Sequence, residues 1–184
     1  MLIAQVSSPR FRKPRLQRMP AQTGTPMESQ ACPSCGARAG GRAECQGLFD
    51  QLGALAWSDP RRAAVHNLVV DAYCLQHPDQ YCESAKSYAA HLTRLCCALE
   101  FGGQPCLYWA IPRWLDGKVQ LRKPLALRVR GAVTVADVHA APNSDAYAAR
   151  VREWARSVWE AYASQQDLAR AWMRAAIAGV SSRR

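Results

Sequence analysis

Cys32-Pro33-Ser34-Cys35-Gly36, followed by Cys45, is the most specific chemical string in the chain. Two cysteines separated by two residues can turn their sulfurs toward one cation across a tight turn. A glycine directly after the second can take a positive φ, so that backbone N–H groups point back at the thiolates and offset their charge. Cys45 then opens a helical pattern, where the positive end of the helix dipole favours a thiolate. Three sulfurs are thereby expected to converge on one zinc ion.

A tetrahedral zinc site wants a fourth donor, and no fourth cysteine stands nearby. His66 and His77 are the candidates. They are eleven positions apart on one helical pattern, roughly 16 Å along its axis, so at most one can reach the ion. Two other readings of the thiols stand beside the metal. Cys-Pro-Ser-Cys resembles a redox pair, but that chemistry needs a strand before the motif and a helix beginning at the first cysteine. Alternatively the thiols are inert, as expected for Cys74, Cys96 and Cys97 within apolar helical patterns.

A second constellation follows. His66, Asp71, Tyr73 and His77 sit on one segment and His91 on the next. These are the candidate catalytic residues, because histidines titrate near neutral pH and can serve as general bases. The bland reading is a hydrogen-bonded network that fixes helix register. Asp71, set in apolar sequence, needs a definite partner, an arginine such as Arg94 or a backbone N–H. No nucleophile elbow, phosphate loop or dinucleotide fingerprint occurs.

These residues must be held by helices. Glu44 to Trp57 reads as a first helix, with Leu48, Leu52 and Leu55 in register. Ser58-Asp59-Pro60 starts a second that runs to about His77, where Pro78 stops it. Its interior is apolar nearly all round, so it is expected at the centre. Ser84 caps a third helix to about Glu100, and Gly102-Gly103 ends it. Residues 104–131 read as the least regular region, and Val133-Thr134-Val135 as a short strand. Asn143 caps a fourth helix to about Ser164, and a fifth spans roughly 166–178. The expected fold is mainly α: one helical-bundle domain of about five helices over 31–180, with a small β element and an N-terminal zinc-knuckle-like segment.

The 184-residue length allows one domain with a real core. The formal charge of +10 hints at a polyanion, but five of the basic residues lie at Arg10, Arg12, Lys13, Arg15 and Arg18, in a stretch without acids. Residues 1–30 read as a disordered basic tail, with Met27 an alternative start. No apolar run fits a signal peptide or a membrane span, and eight cysteines without an export signal point to a reducing, cytoplasmic setting.

The order Cys32-Pro-Ser-Cys35-Gly, Cys45, Val65-His66, Val70-Asp71-Ala-Tyr73, Leu75-Gln76-His77-Pro78 and His91-Leu92 resembles an uncharacterised bacterial family, a domain of unknown function. Thr134-Val-Ala-Asp137 and Val151-Arg-Glu-Trp154 fit it too, so the resemblance covers about residues 31–175. It implies motifs but no activity, and it leaves the basic tail outside the domain. Asn67 stands where a second adjacent histidine is usual.

Three functions are compatible with this reading. The first is a helical protein with one structural zinc and a histidine-lined pocket for a small ligand or protein. The second is a zinc-dependent enzyme of hydrolase or transferase type, with an open metal position for water. The third is a nucleic-acid-binding regulator acting through the tail.

Overall fold

Asp59, Ser84 and Asn143 each accept a hydrogen bond from a backbone N–H in the turn that follows, at 2.7, 3.0 and 2.9 Å. Each satisfies a donor that a helix start would otherwise leave open, which is why helices begin there. The computed structural model describes residues 30–125, 127 and 130–181. The expectations for residues 1–29 lie outside them.

Among the described residues the order is α1 (Arg42–Ala54), α2 (Pro60–Gln76), α3 (Pro78–Tyr81), α4 (Ala85–Glu100), α5 (Pro105–Leu115), α6 (Val135–His139), α7 (Ser144–Ala161), a short 3-10 turn (Ala163–Gln165) and α8 (Gln166–Ser181). The fold is mainly helical, as expected, but with eight α-helices rather than five. The first helix also runs 42–54 rather than 44–57.

Residues 104–131, expected as the least regular region, open with α5, whose first turn holds Pro105, where the missing N–H costs nothing. The expected strand is corrected. No strand forms at 133–135. Thr134 instead starts α6 through a capping box, its backbone N–H and hydroxyl each donating to Asp137 Oδ2 at 2.8 Å. The capping geometry outweighs the β preference of the two valines. The β structure present is an isolated antiparallel bridge between Ala31 and Arg38.

α2 packs against α1, α3, α4 and α7, and α5 and α8 pack on α4 and on each other. Residues 71–76, at the C-terminal end of α2, are all buried. Facing them, Val151, Trp154, Ala155 and Val158 of α7 have no exposed surface. Burying a Trp and its aliphatic neighbours in this way stabilises by about 1.5–3 kcal/mol per large side chain.

The C-terminal carbonyls of α2, which have no partner within the helix, are met from outside it. Tyr162 Oη donates to Leu75 O at 2.6 Å, and Arg130 Nη1 to Gln76 O at 3.3 Å. Trp154 Nε1 donates to Gln76 Oε1 at 2.9 Å, while Gln76 Nε2 donates to the carbonyls of Arg130 and Val133, both at 2.9 Å. Gly131 (φ +103) allows that segment to lie against α7, since an added Cβ would come within 3.1 Å of the Ser157 backbone. The C-terminal end of α2 is therefore held both from α7 and from the 130–133 segment, and the candidate site is built on it.

Candidate metal centre

The N-terminal segment closes on itself before it reaches α1. Cys32 N donates to Ala37 O and Gly36 N to Cys32 O, both at 2.8 Å. Gly36 takes φ +79 with open space where a side chain would stand, so the backbone conformation, not crowding, calls for glycine. Ala37 N then points at Cys35 Sγ, 3.4 Å away. This is the N–H to thiolate contact that the motif was expected to make.

α1 carries Cys45 in its first turn, and the break between α2 and α3 carries His77. Pro78 cannot continue α2, so His77 leaves helical geometry at φ −122, ψ 52. Its Nδ1 lies 2.8 Å from Tyr73 O. A carbonyl only accepts, so Nδ1 carries the proton and Nε2 presents its lone pair.

Cys32, Cys35, Cys45 and His77 place their donor atoms within 4.8 Å of one another, and this cluster could hold a metal ion. The edges are informative. Cys35 Sγ and Cys45 Sγ are 3.7 Å apart, and His77 Nε2 is 3.5 Å from both Cys32 Sγ and Cys45 Sγ. A tetrahedron with zinc–sulfur bonds of about 2.3 Å and zinc–nitrogen bonds of about 2.0–2.1 Å has edges of about 3.8 Å and about 3.6 Å. The free thiols are far beyond the roughly 2.05 Å of a disulfide. Cys32, Cys45 and His77 are buried, and Cys35 is half-buried.

Electrostatics fit a cluster that accepts a cation. The hydrogen bond from Cys35 lowers the Cys45 thiol to about 4, with His77 and Tyr73 adding to the effect against burial. That same hydrogen bond, with burial, pushes Cys35 upward. Sulfur binds a cation as thiolate, so the thiols that still carry protons lose them as an ion binds.

Surrounding residues hold the imidazole. Tyr73 stacks on His77 at 4.0 Å between ring centroids and on Phe49 at 3.9 Å, so three rings from α1, α2 and the break after α2 form one pile. Gln46 Oε1 accepts from Tyr73 Oη at 3.3 Å and from Tyr81 Oη. Arg130 Nη1 donates to Ser34 O at 3.1 Å as well as to Gln76 O, tying the cysteine turn to α2. Gln46 and Arg130 carried no signal in the sequence, because Arg130 lies 96 positions from Ser34.

The other singled-out residues lie elsewhere. His66 is outside the cluster, its ring 5.6 Å from that of Trp57 and its Nδ1 buried without a hydrogen-bond partner. Asp71 is fully buried. His91 Nδ1 lies 2.9 Å from its Oδ1, and Arg94 Nε is 3.2 Å from Oδ2, close enough for an ion pair though not aligned as a hydrogen bond. Burial pushes the Asp71 carboxyl upward, and His91 and Arg94 pull it back. The five candidate catalytic residues are therefore not one site. Tyr73 and His77 belong to the cysteine cluster, Asp71 and His91 form a separate pair on α2 and α4, and His66 stands apart. The fourth histidine, His139, is exposed and bonds Gln51 Oε1 at 2.9 Å.

Among the described residues, no helix is long and apolar enough to cross a membrane. Neither the curated proteins nor the solved structures contain a match to this chain. A family model described as a family of unknown function (DUF5946) matches residues 30–163, a span that holds all four donors of the cluster, and the chain belongs to that family.

Proposed function

We propose that Cys32, Cys35, Cys45 and His77 bind one zinc ion whose role is structural, clipping the N-terminal turn onto a helical binding domain over residues 31–180. The observation that carries this reading is that all four donor atoms lie within 4.8 Å of one another, with three of the edges at 3.5 to 3.7 Å, which suits a zinc tetrahedron. Three soft thiolates and one imidazole select zinc over oxygen-seeking cations. Four protein donors fill the coordination shell, which favours a structural ion over the alternative of a hydrolase or transferase, whose metal keeps a position for water. Residues 30–41 contain almost no apolar bulk, so the ion supplies the attachment that a core would otherwise provide. Thiolate ligands must stay reduced, which suits a cytoplasmic setting. The nucleic-acid alternative rests on the basic stretch before residue 27 and draws no support from the cluster.

Elemental analysis of the purified protein tests this. One zinc per chain is expected, falling below a tenth of that in Cys35→Ser, with a circular dichroism spectrum that stays helical. A metal-free wild-type protein, or a Cys35→Ser variant that keeps its zinc, overturns the reading.

A further inference from the structure

α2 and α5 each pack on α4, and between them lies an open cleft of about 750 Å³. That volume falls within the range of small-molecule sites. It shares no residue with the cysteine cluster, and no histidine lines it.

The cleft follows from residue choice. Ala90, Arg94 and Ala98 recur every four positions along α4 and form one stripe, with a small residue on each side of the arginine. Ala64 and Asn67 of α2 form one wall. Tyr108, Trp109 and Pro112 of α5 form the other. Trp109 is 69% exposed, a large apolar surface that a ligand would cover.

The charge in the cleft has one sign. Arg94 and Arg152 line it, and no carboxylate does. Arg94 is held in place: its Nε faces the buried Asp71 at 3.2 Å and its Nη2 donates to Asn67 Oδ1 at 2.9 Å. His91, bonded to the other oxygen of Asp71, fixes the carboxylate from behind. Among the described residues Nη1 of Arg94 has no partner, and neither does the Arg152 guanidinium on the exposed side of α7. A fixed guanidinium edge matches the geometry of a carboxylate, and it loses little entropy on binding because its rotamer is already set.

We propose that this cleft binds a small aromatic carboxylate, its oxygens between Arg94 and Arg152 and its ring against Tyr108 and Trp109. The Asp71–His91 pair is then the support that positions Arg94. The inference does not depend on the metal.

The test is calorimetric titration of the purified full-length protein with 2-naphthoate and with the uncharged 2-naphthamide. Naphthoate is expected to bind one per chain, about tenfold or more tighter than the amide, as one added charge-assisted contact implies. Arg152→Gln, on an exposed helix face, should weaken naphthoate about fivefold or more and leave the amide unchanged. Ala90→Leu should abolish binding of both by filling the cleft. Ala64→Leu, at an exposed position, does the same should Ala90→Leu lower the melting temperature. Equal affinity for acid and amide, naphthoate binding insensitive to Arg152→Gln and both filling variants, or no binding of naphthoate overturns the proposal.

Discussion

His77 donates through Nδ1 to the backbone carbonyl of Tyr73, four residues earlier and 2.8 Å away, and this one bond turns Nε2 toward Cys32 and Cys45. The same carbonyl also accepts the His77 backbone N–H at 3.0 Å, so the residue that caps α2 is held to Tyr73 through both its main chain and its ring. The backbone turn that ends the helix and the orientation of the imidazole thus share one acceptor.

His77→Ala should lower zinc affinity by more than about tenfold in competition with a chromophoric chelator, since a metal-ligating side chain contributes at least as much as its supporting contacts. His66→Ala, eleven positions away and outside the cluster, should leave affinity and stoichiometry unchanged. Equal loss in the two variants would contradict the assignment of the fourth donor.

Gln76 joins α2 to α7 and to the 130–133 segment through three side-chain hydrogen bonds: it accepts from Trp154 and donates to the carbonyls of Arg130 and Val133. Gln76→Leu keeps the volume but strands the indole N–H. Each buried group left without a partner costs about 1–3 kcal/mol, so the variant should lose about 2–4 kcal/mol in urea unfolding. A loss under about 0.5 kcal/mol would mean that water replaces these bonds.

Asp71 has no exposed surface and faces the Arg94 guanidinium and the His91 imidazole. Asp71→Ala leaves Arg94 and His91 without their partner, and removing one member of a buried pair costs about 3–5 kcal/mol. Asp71→Asn retains an acceptor for His91 and should cost less. Denaturant midpoints for the two variants check the order.

Glu100 at the end of α4 accepts from Nε and Nη2 of Arg170, both at 2.6 Å, and from Trp159 Nε1 at 3.1 Å. The Arg170 hydrogen bonds hold its carboxyl below the ordinary 4.5. A carboxyl depressed in the folded state adds stability that is present above its unfolded value and is lost as pH falls through the folded one. Thermal melts taken downward from neutral pH should therefore show a steeper acid loss in the wild type than in Glu100→Gln. Parallel curves would remove this pair from the acid response.

Much of this was legible because helix starts carry local signals. Asp59-Pro60, Ser84 and Asn143 marked three of them, and the three sulfurs were grouped by spacing alone. Where two local signals competed, the reading failed: Val133-Thr134-Val135 looked extended, although Thr134 and Asp137 stand at capping-box spacing. α5 was hidden by Pro112 within it and by its aromatic density. Asp71 needed a partner by the cost of burial, and Arg94, one helix away, is there. The choice between His66 and His77 depends on which end of α2 the cysteine turn meets, a long-range fact that no local pattern carries. The cleft was equally invisible, since it arises where alanines on two helices leave space.

Arg130 spans the carbonyls of Ser34 and Gln76 from a position 54 residues beyond the latter. During synthesis the three cysteines and His77 leave the ribosome well before this arginine does. The four donors can therefore meet an ion while the latch over them is still unmade. Arg130 fastens afterwards, so Arg130→Gln in the full chain should let a bound cation stay yet exchange faster.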